Sequence, residues 1–184
     1  MGKDIPVDVD RLVDNILGIN VIPFPSLFKS FDVNAFISND FSKIYVDEYL
    51  YQNLEPQYRF TLAHELGHMV LHSGYYKQFK IDGLASYVKF VSEVGEDEYK
   101  LIETQANHFA GLFLVPAAAL REYFTEQAKD IVRFISSRYK GQRRDNYLGT
   151  AVELIARKLS PIFNVHHQPI QIRIERDGLV KLIP

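Results

Sequence analysis

Residues 59–72 read Arg59-Phe60-Thr61-Leu62-Ala63-His64-Glu65-Leu66-Gly67-His68-Met69-Val70-Leu71-His72 and hold a complete His-Glu-x-x-His. Positions four apart on a helix share a face, so His64 and His68 can address one metal ion together. Glu65 leaves the helix from the adjoining arc, beside the place where a water on that metal would sit. Leu62, Ala63 and Leu66 favour the helix. Phe60, Ala63, Leu66, Gly67, Val70 and Leu71 are expected to form its buried stripe. Gly67 costs helix propensity, which points to close approach by a neighbouring element. The plain alternative is a helix with two surface histidines. Against it, a Glu-His pair embedded in an apolar helix is costly without a partner.

A catalytic zinc site needs a third protein ligand and an open fourth position. The chain has no cysteine. His72 is excluded by geometry: eight residues of helix separate it from His64, a rise of about 12 Å, whereas zinc–nitrogen bonds are about 2 Å. Its expected role is to cap the helix C-terminus. The better candidate is Glu103, in Leu101-Ile102-Glu103-Thr104-Gln105-Ala106-Asn107-His108-Phe109-Ala110-Gly111-Leu112-Phe113-Leu114-Val115-Pro116. This reads as a second helix, ended by Pro116, with Ile102, Ala106, Phe109, Ala110, Phe113 and Leu114 on its buried face. Glu103 and Asn107 share a side, offering a carboxylate for the metal and an amide to orient it or a ligating histidine. His108 is rotated well off that side. A solvated Glu103 is the competing reading. Glu96, Asp97 and Glu98 read as charges at the helix N-terminus.

These two segments, with Ile44-Tyr45-Val46 on the approach, resemble the ImmA/IrrE family of zinc metallopeptidases. The likeness rests on His64-Glu65-Leu66-Gly67-His68, on Glu103-Thr104-Gln105-Ala106-Asn107-His108-Phe109-Ala110, and on Leu112-Phe113-Leu114-Val115-Pro116. It covers about positions 30–116 well and the remainder loosely. It implies a gluzincin-like site with His64, His68 and Glu103 on Zn2+ and Glu65 as general base. It also implies a zincin-like core and a regulatory substrate, since family members are associated with cleaving or inactivating helix-turn-helix repressors.

The chain has 184 residues, 47% of them hydrophobic, enough for one core and a small appendage. The fold expected is α+β and mainly helical, with a small β-sheet in a metallopeptidase core over residues 1–120 and a helical C-terminal region over 121–184. Lack of cysteine suits a reducing compartment. The first residues form no apolar leader and no run approaches a membrane span, so a soluble cytoplasmic protein is expected. A first helix is expected from Asp4 or the residues after it, ending at Gly18. Ile19–Ile22 reads as a strand broken by Pro23 and Pro25. Residues 33–38 and 42–46 read as a hairpin around Asn39-Asp40. A strand beside the cleft can hold an extended substrate by backbone hydrogen bonds; a core sheet without that role is an equal reading. Residues 73–98 are aromatic and fit a cleft wall, with a tyrosine there as a candidate for oxyanion stabilisation or for plain packing.

Beyond Pro116, helices are expected over 117–129, 131–139, 147–163 and 167–176, with His166-His167 at a helix start. Residues 121–184 carry 12 Lys/Arg and 7 Asp/Glu, against 9 and 16 in residues 1–120. Arg138, Lys140, Arg143 and Arg144 cluster near Gly141, and the last two helices resemble a helix-turn-helix. A solvated basic face is the favoured reading; a dock for an acidic partner or nucleic acid is the other.

The function these expectations support is metal-assisted amide hydrolysis of a regulatory protein, a transcriptional repressor or an antitoxin-like partner. In that chemistry Glu65 takes the proton of water and passes it to the leaving amine. The second reading is a non-catalytic, metal-stabilised module that binds a repressor or DNA.

Overall fold

The computed structural model describes residues 5–183, which form two compact units, Asp8–Ala110 and residues 111–183 with 5–7; the boundary falls within a helix. The architecture is α+β and mainly helical.

In the first unit the chain enters through α1 (Val9–Arg11), which continues as a π-helix over Leu12–Ile16. Asp8 caps it by accepting the N–H of Arg11 at 3.0 Å. Asp4 lies outside the described residues, and the helix begins later than expected because Asp8 supplies the cap. Gly18 ends it at φ +65°, a conformation that favours glycine. Then follow β1 (Asn20–Phe24), α2 (Leu27–Phe31), β2 (Ala35–Ile37), β3 (Lys43–Asp47) and α3 (Glu48–Asn53). The sheet order is β1-β3-β2.

β1 runs through Pro23 instead of breaking there. It lies at the sheet edge, parallel to β3, and Asn20 donates its N–H to Ser42 O at 2.9 Å. With alternate residues turned toward β3, the missing N–H of Pro23 falls on the outer side, where no ladder bond is lost. The expected hairpin is present, β2 pairing antiparallel with β3. Its turn is tied by Asp40, which accepts from the hydroxyls of Ser38 and Ser42 at 2.6 and 2.9 Å. Asn34 and Ser38 carbonyl and amide groups bond to β3, through Asp47 N–H and Lys43 O. The backbones of Ala35 and Ile37 therefore face the free edge.

Two long helices complete the unit with α5 (Leu84–Glu93): α4 (Glu55–Tyr76), with Pro56 in its first turn, and α6 (Glu96–Leu114), with Glu96, Asp97 and Glu98 in its first turn as expected. The buried face of α4 keeps Ala63, Leu66 and Gly67 of the expected stripe and departs from the rest of it. Val70 and Leu71 are half exposed, while Tyr58, Leu62, Glu65, His68, His72 and Tyr76 are buried. A polar cluster occupies the inner face of this helix, so apolarity alone misplaces it. On α6, Ile102, Ala106, Ala110 and Leu114 are buried as expected.

Gly67 is where the two helices meet. A Cβ there would lie 3.0 Å from Ala106 Cα and 3.2 Å from its carbonyl oxygen. Gly67→Ala is expected to lower stability by about 1 kcal/mol. The helix-propensity gain of about 1 kcal/mol is outweighed by about 1–3 kcal/mol of overpacking against backbone that cannot rotate away. A denaturant melt of the variant checks this, and unchanged or raised stability would show that α6 yields without cost.

In the second unit α7 (Ala117–Arg138) is one continuous helix, not two, followed by α8 (Leu148–Phe163) and α9 (His167–Arg176). Asn164 takes the left-handed conformation in the turn between α8 and α9, and His166 and His167 stand at the start of α9, as expected. Leu120, Phe124, Ile155, Leu159, Phe163 and Ile174 are among its buried residues. Arg144 is not a free surface charge: its guanidinium donates to the carbonyls of Ile183, at 3.0 Å, and Val180. Arg173 is buried and pairs with Asp177 at 2.8 Å. Part of the basic excess is therefore used to pin the fold. Among the described residues, no helix is long and apolar enough to cross a membrane.

Candidate metal centre

One turn of α4 and one turn of α6 bring three donors together. His64 Nε2 lies 2.9 Å from His68 Nε2 and 3.2 Å from Glu103 Oε2, and His68 Nε2 lies 3.3 Å from Glu103 Oε1. These three are a group whose ligand atoms lie within 4.8 Å of one another. Two imidazole nitrogens can face each other at 2.9 Å only with a proton or a cation between them. For bonds of about 2.0–2.1 Å to a tetrahedral ion, ligand atoms stand about 3.3 Å apart, so the observed edges match a small divalent ion with one position left open.

The surroundings tune the three groups differently. Burial works to raise the Glu103 carboxyl, but its hydrogen bonds with His64 and His68 prevail and hold it well below the usual carboxylate range. Burial pushes the His68 imidazole down to about 4, leaving a neutral ring with a lone pair to give. Burial opposes charge on His64 as well, but Glu103 and Glu65 keep its imidazole above its ordinary value.

Glu65 is 4% exposed, and burial pushes its carboxyl up to about 7. It accepts the backbone N–H of Ile37, which ties the helix to the free edge of β2. A cleft of about 300 Å³ opens over the cluster, lined among others by Ala35, Thr61, Tyr87 and Tyr99 together with His64, Glu65, Glu103 and Asn107.

Each of the three converging side chains is backed by another group. Asn107 Oδ1 accepts from His64 Nδ1 at 3.0 Å, the orienting contact its spacing from Glu103 predicted. Tyr99 donates its hydroxyl to Glu103, and Tyr87 in turn donates to Tyr99, with 3.2 Å between the oxygens. His68 Nδ1 faces His72 Nδ1 at 3.2 Å. His72 is thus not a helix cap: α4 continues to Tyr76, so His72 lies inside the helix and is buried. The hydrogen-bonding roles of His72, Gln105, Tyr87 and Tyr99 escaped the sequence reading because they arise across helices. The only local signal was the four-residue spacing of His72 from His68 and of Tyr99 from Glu103.

The aromatic segment serves mainly as packing. Tyr75, Tyr76 and Phe79 gather around Phe90 at ring separations of 6.4, 5.2 and 4.9 Å. Tyr76 also lies 5.1 Å from the His68 ring, and Phe36 stacks between Tyr45 and Tyr87 at 4.7 and 4.5 Å. Tyr87 of this segment and Tyr99, just beyond it on α6, line the cleft.

A family model for the IrrE N-terminal-like domain, peptidase M78, matches residues 17–144, about two thirds of the chain. No curated protein matches the sequence.

Proposed function

The chain belongs to the IrrE N-terminal-like family of peptidases, and on that premise we propose that it is a zinc-dependent, gluzincin-like endopeptidase acting on a regulatory protein in the cytoplasm. A metallopeptidase-type function and a zincin-like core follow from the family itself. The finer reading assigns His64, His68 and Glu103 as ligands, Glu65 as general base and Asn107 as the group that orients His64. The observation that carries it is the convergence of three donor atoms beside a buried carboxylate at the floor of a cleft.

Zinc bound there would supply Lewis acidity, making water acidic enough to react near neutral pH and polarising the scissile carbonyl. The remaining work falls to the protein. Ile37 N–H engages the Glu65 carboxylate and fixes its orientation toward the cleft. That carboxylate, aimed at the cleft, can accept a proton from water and return it to the amide nitrogen as the bond breaks. Tyr99, by donating to Glu103, holds that ligand in place and leaves its own oxygen to be held by Tyr87.

The substrate class, a helix-turn-helix transcriptional repressor or an antitoxin-like partner, rests on the resemblance to ImmA/IrrE proteins. The test is to incubate the zinc-loaded protein with purified helix-turn-helix repressors, beginning with any encoded beside its gene, and analyse the mixtures by mass spectrometry. Two complementary fragments, absent after chelation and restored by zinc, are the expected result. A partner that binds and stays intact would replace the enzyme with a metal-stabilised binding module.

A further inference from the structure

His72 lies on the far side of His68 from the metal position, and its second ring nitrogen is also occupied. Its Nδ1 is 3.2 Å from His68 Nδ1, and its Nε2 is 2.8 Å from Oε1 of Gln105 on α6. His72 is 6% exposed, whereas Gln105 lies at the exposed surface of α6. We propose that His72 and Gln105 are positioning residues: a hydrogen-bond relay that fixes His68 in the single tautomer able to present Nε2 to the metal. The proposal rests on His68 being a ligand, as read above.

The direction of the relay follows from counting protons on neutral rings. A neutral imidazole carries one N–H and one lone pair. To ligate through Nε2, His68 must carry its proton on Nδ1. That proton can go only to His72 Nδ1, which must then be the acceptor, so the His72 proton sits on Nε2. The group facing Nε2 must accept, and the Gln105 carbonyl oxygen does. Were Gln105 to offer its NH2 instead, each step would reverse: His72 would donate to His68 Nδ1, and the His68 proton would be driven onto Nε2, where the metal binds. The state of an exposed amide thus decides whether a buried ligand has a lone pair to give. Partners of this kind are worth about 10–100-fold in metal affinity.

The test compares Gln105→Glu, an obligate acceptor, with Gln105→Lys, an obligate donor. Zinc dissociation constants are measured by competition with a chromophoric chelator on the full chain. The same pair of changes at Thr104, exposed and adjacent, controls for charge alone. The expected result is binding as tight as wild type or tighter in Gln105→Glu, and weaker by about 10–100-fold in Gln105→Lys. The Thr104 pair should show a contrast at least several-fold smaller. Nitrogen-15 spectra of the zinc-loaded wild type should place the His72 proton on Nε2. Equal contrasts at positions 104 and 105, or a His72 proton on Nδ1, overturn the relay while leaving the metal site standing. A wild type that takes up no zinc, or binds it equally well as Glu103→Ala, removes the metal reading and the relay with it.

Discussion

The Glu65→Gln variant is expected to bind one zinc per chain and to lose peptide hydrolysis. Its amide has nearly the shape of the carboxylate and keeps an oxygen for the Ile37 N–H, so the tie between α4 and β2 survives. What it cannot do is accept a proton from water. Positioned general bases contribute about 10²–10⁴-fold to rate, and a fall of at least that size is expected. Burial pushes the native carboxyl up to about 7, so a neutral amide there should leave thermal stability near that of wild type. Elemental analysis and quantified fragments of the substrate read the two halves of this result. Full turnover in a zinc-loaded variant would remove Glu65 from the mechanism.

Glu103→Ala is expected to have the opposite signature. The fold remains and the metal goes. Without the carboxylate, His64 and His68 offer two nitrogens 2.9 Å apart, too few ligands for a lasting zinc site. Affinity should fall by two orders of magnitude or more, beyond the roughly 10–100-fold typical of outer partners. Thermal melts give an independent reading. A ligand at a hundred times its dissociation constant stabilises the folded chain by about 2.7 kcal/mol, so zinc should raise the wild-type melting temperature and leave the variant unmoved. A variant that keeps stoichiometric zinc with native affinity would mean that the third ligand is another group.

Local spacing made the centre of the site legible. His64, Glu65 and His68 need one helix and its period. Glu103 and Asn107 need only a second helix, and the structure turns them to the cluster as the four-residue spacing predicts. Legibility ended where polar groups take core positions. Val70 and Leu71 look like core and are half exposed, while His72 looks like a cap and is buried. Both misreadings have one cause: the inner face of α4 is filled by a hydrogen-bonded histidine cluster, to which hydrophobic periodicity is blind. Pro23 misled because a proline excludes only a central strand, and the sequence does not say that β1 is an edge. Arg144 counts as surface charge in the sequence, yet it binds carbonyls 36 and 39 positions away.

The bond from Ile37 N–H to Glu65 also limits how a guest chain can be gripped. Along the free edge of β2, Ala35 and Ile37 are the strand residues whose backbones point outward, and the amide of Ile37 is already engaged by the Glu65 carboxylate. A visiting peptide therefore finds one amide donor on this strand, at Ala35, where a longer edge would zip a segment of almost any sequence into place. Short peptides should dwell too briefly to be cut efficiently. For the endopeptidase proposed above, selectivity would then come from contacts remote from the scissile bond, which would favour a folded client with its own matching surface over an unfolded one and keep indiscriminate degradation low.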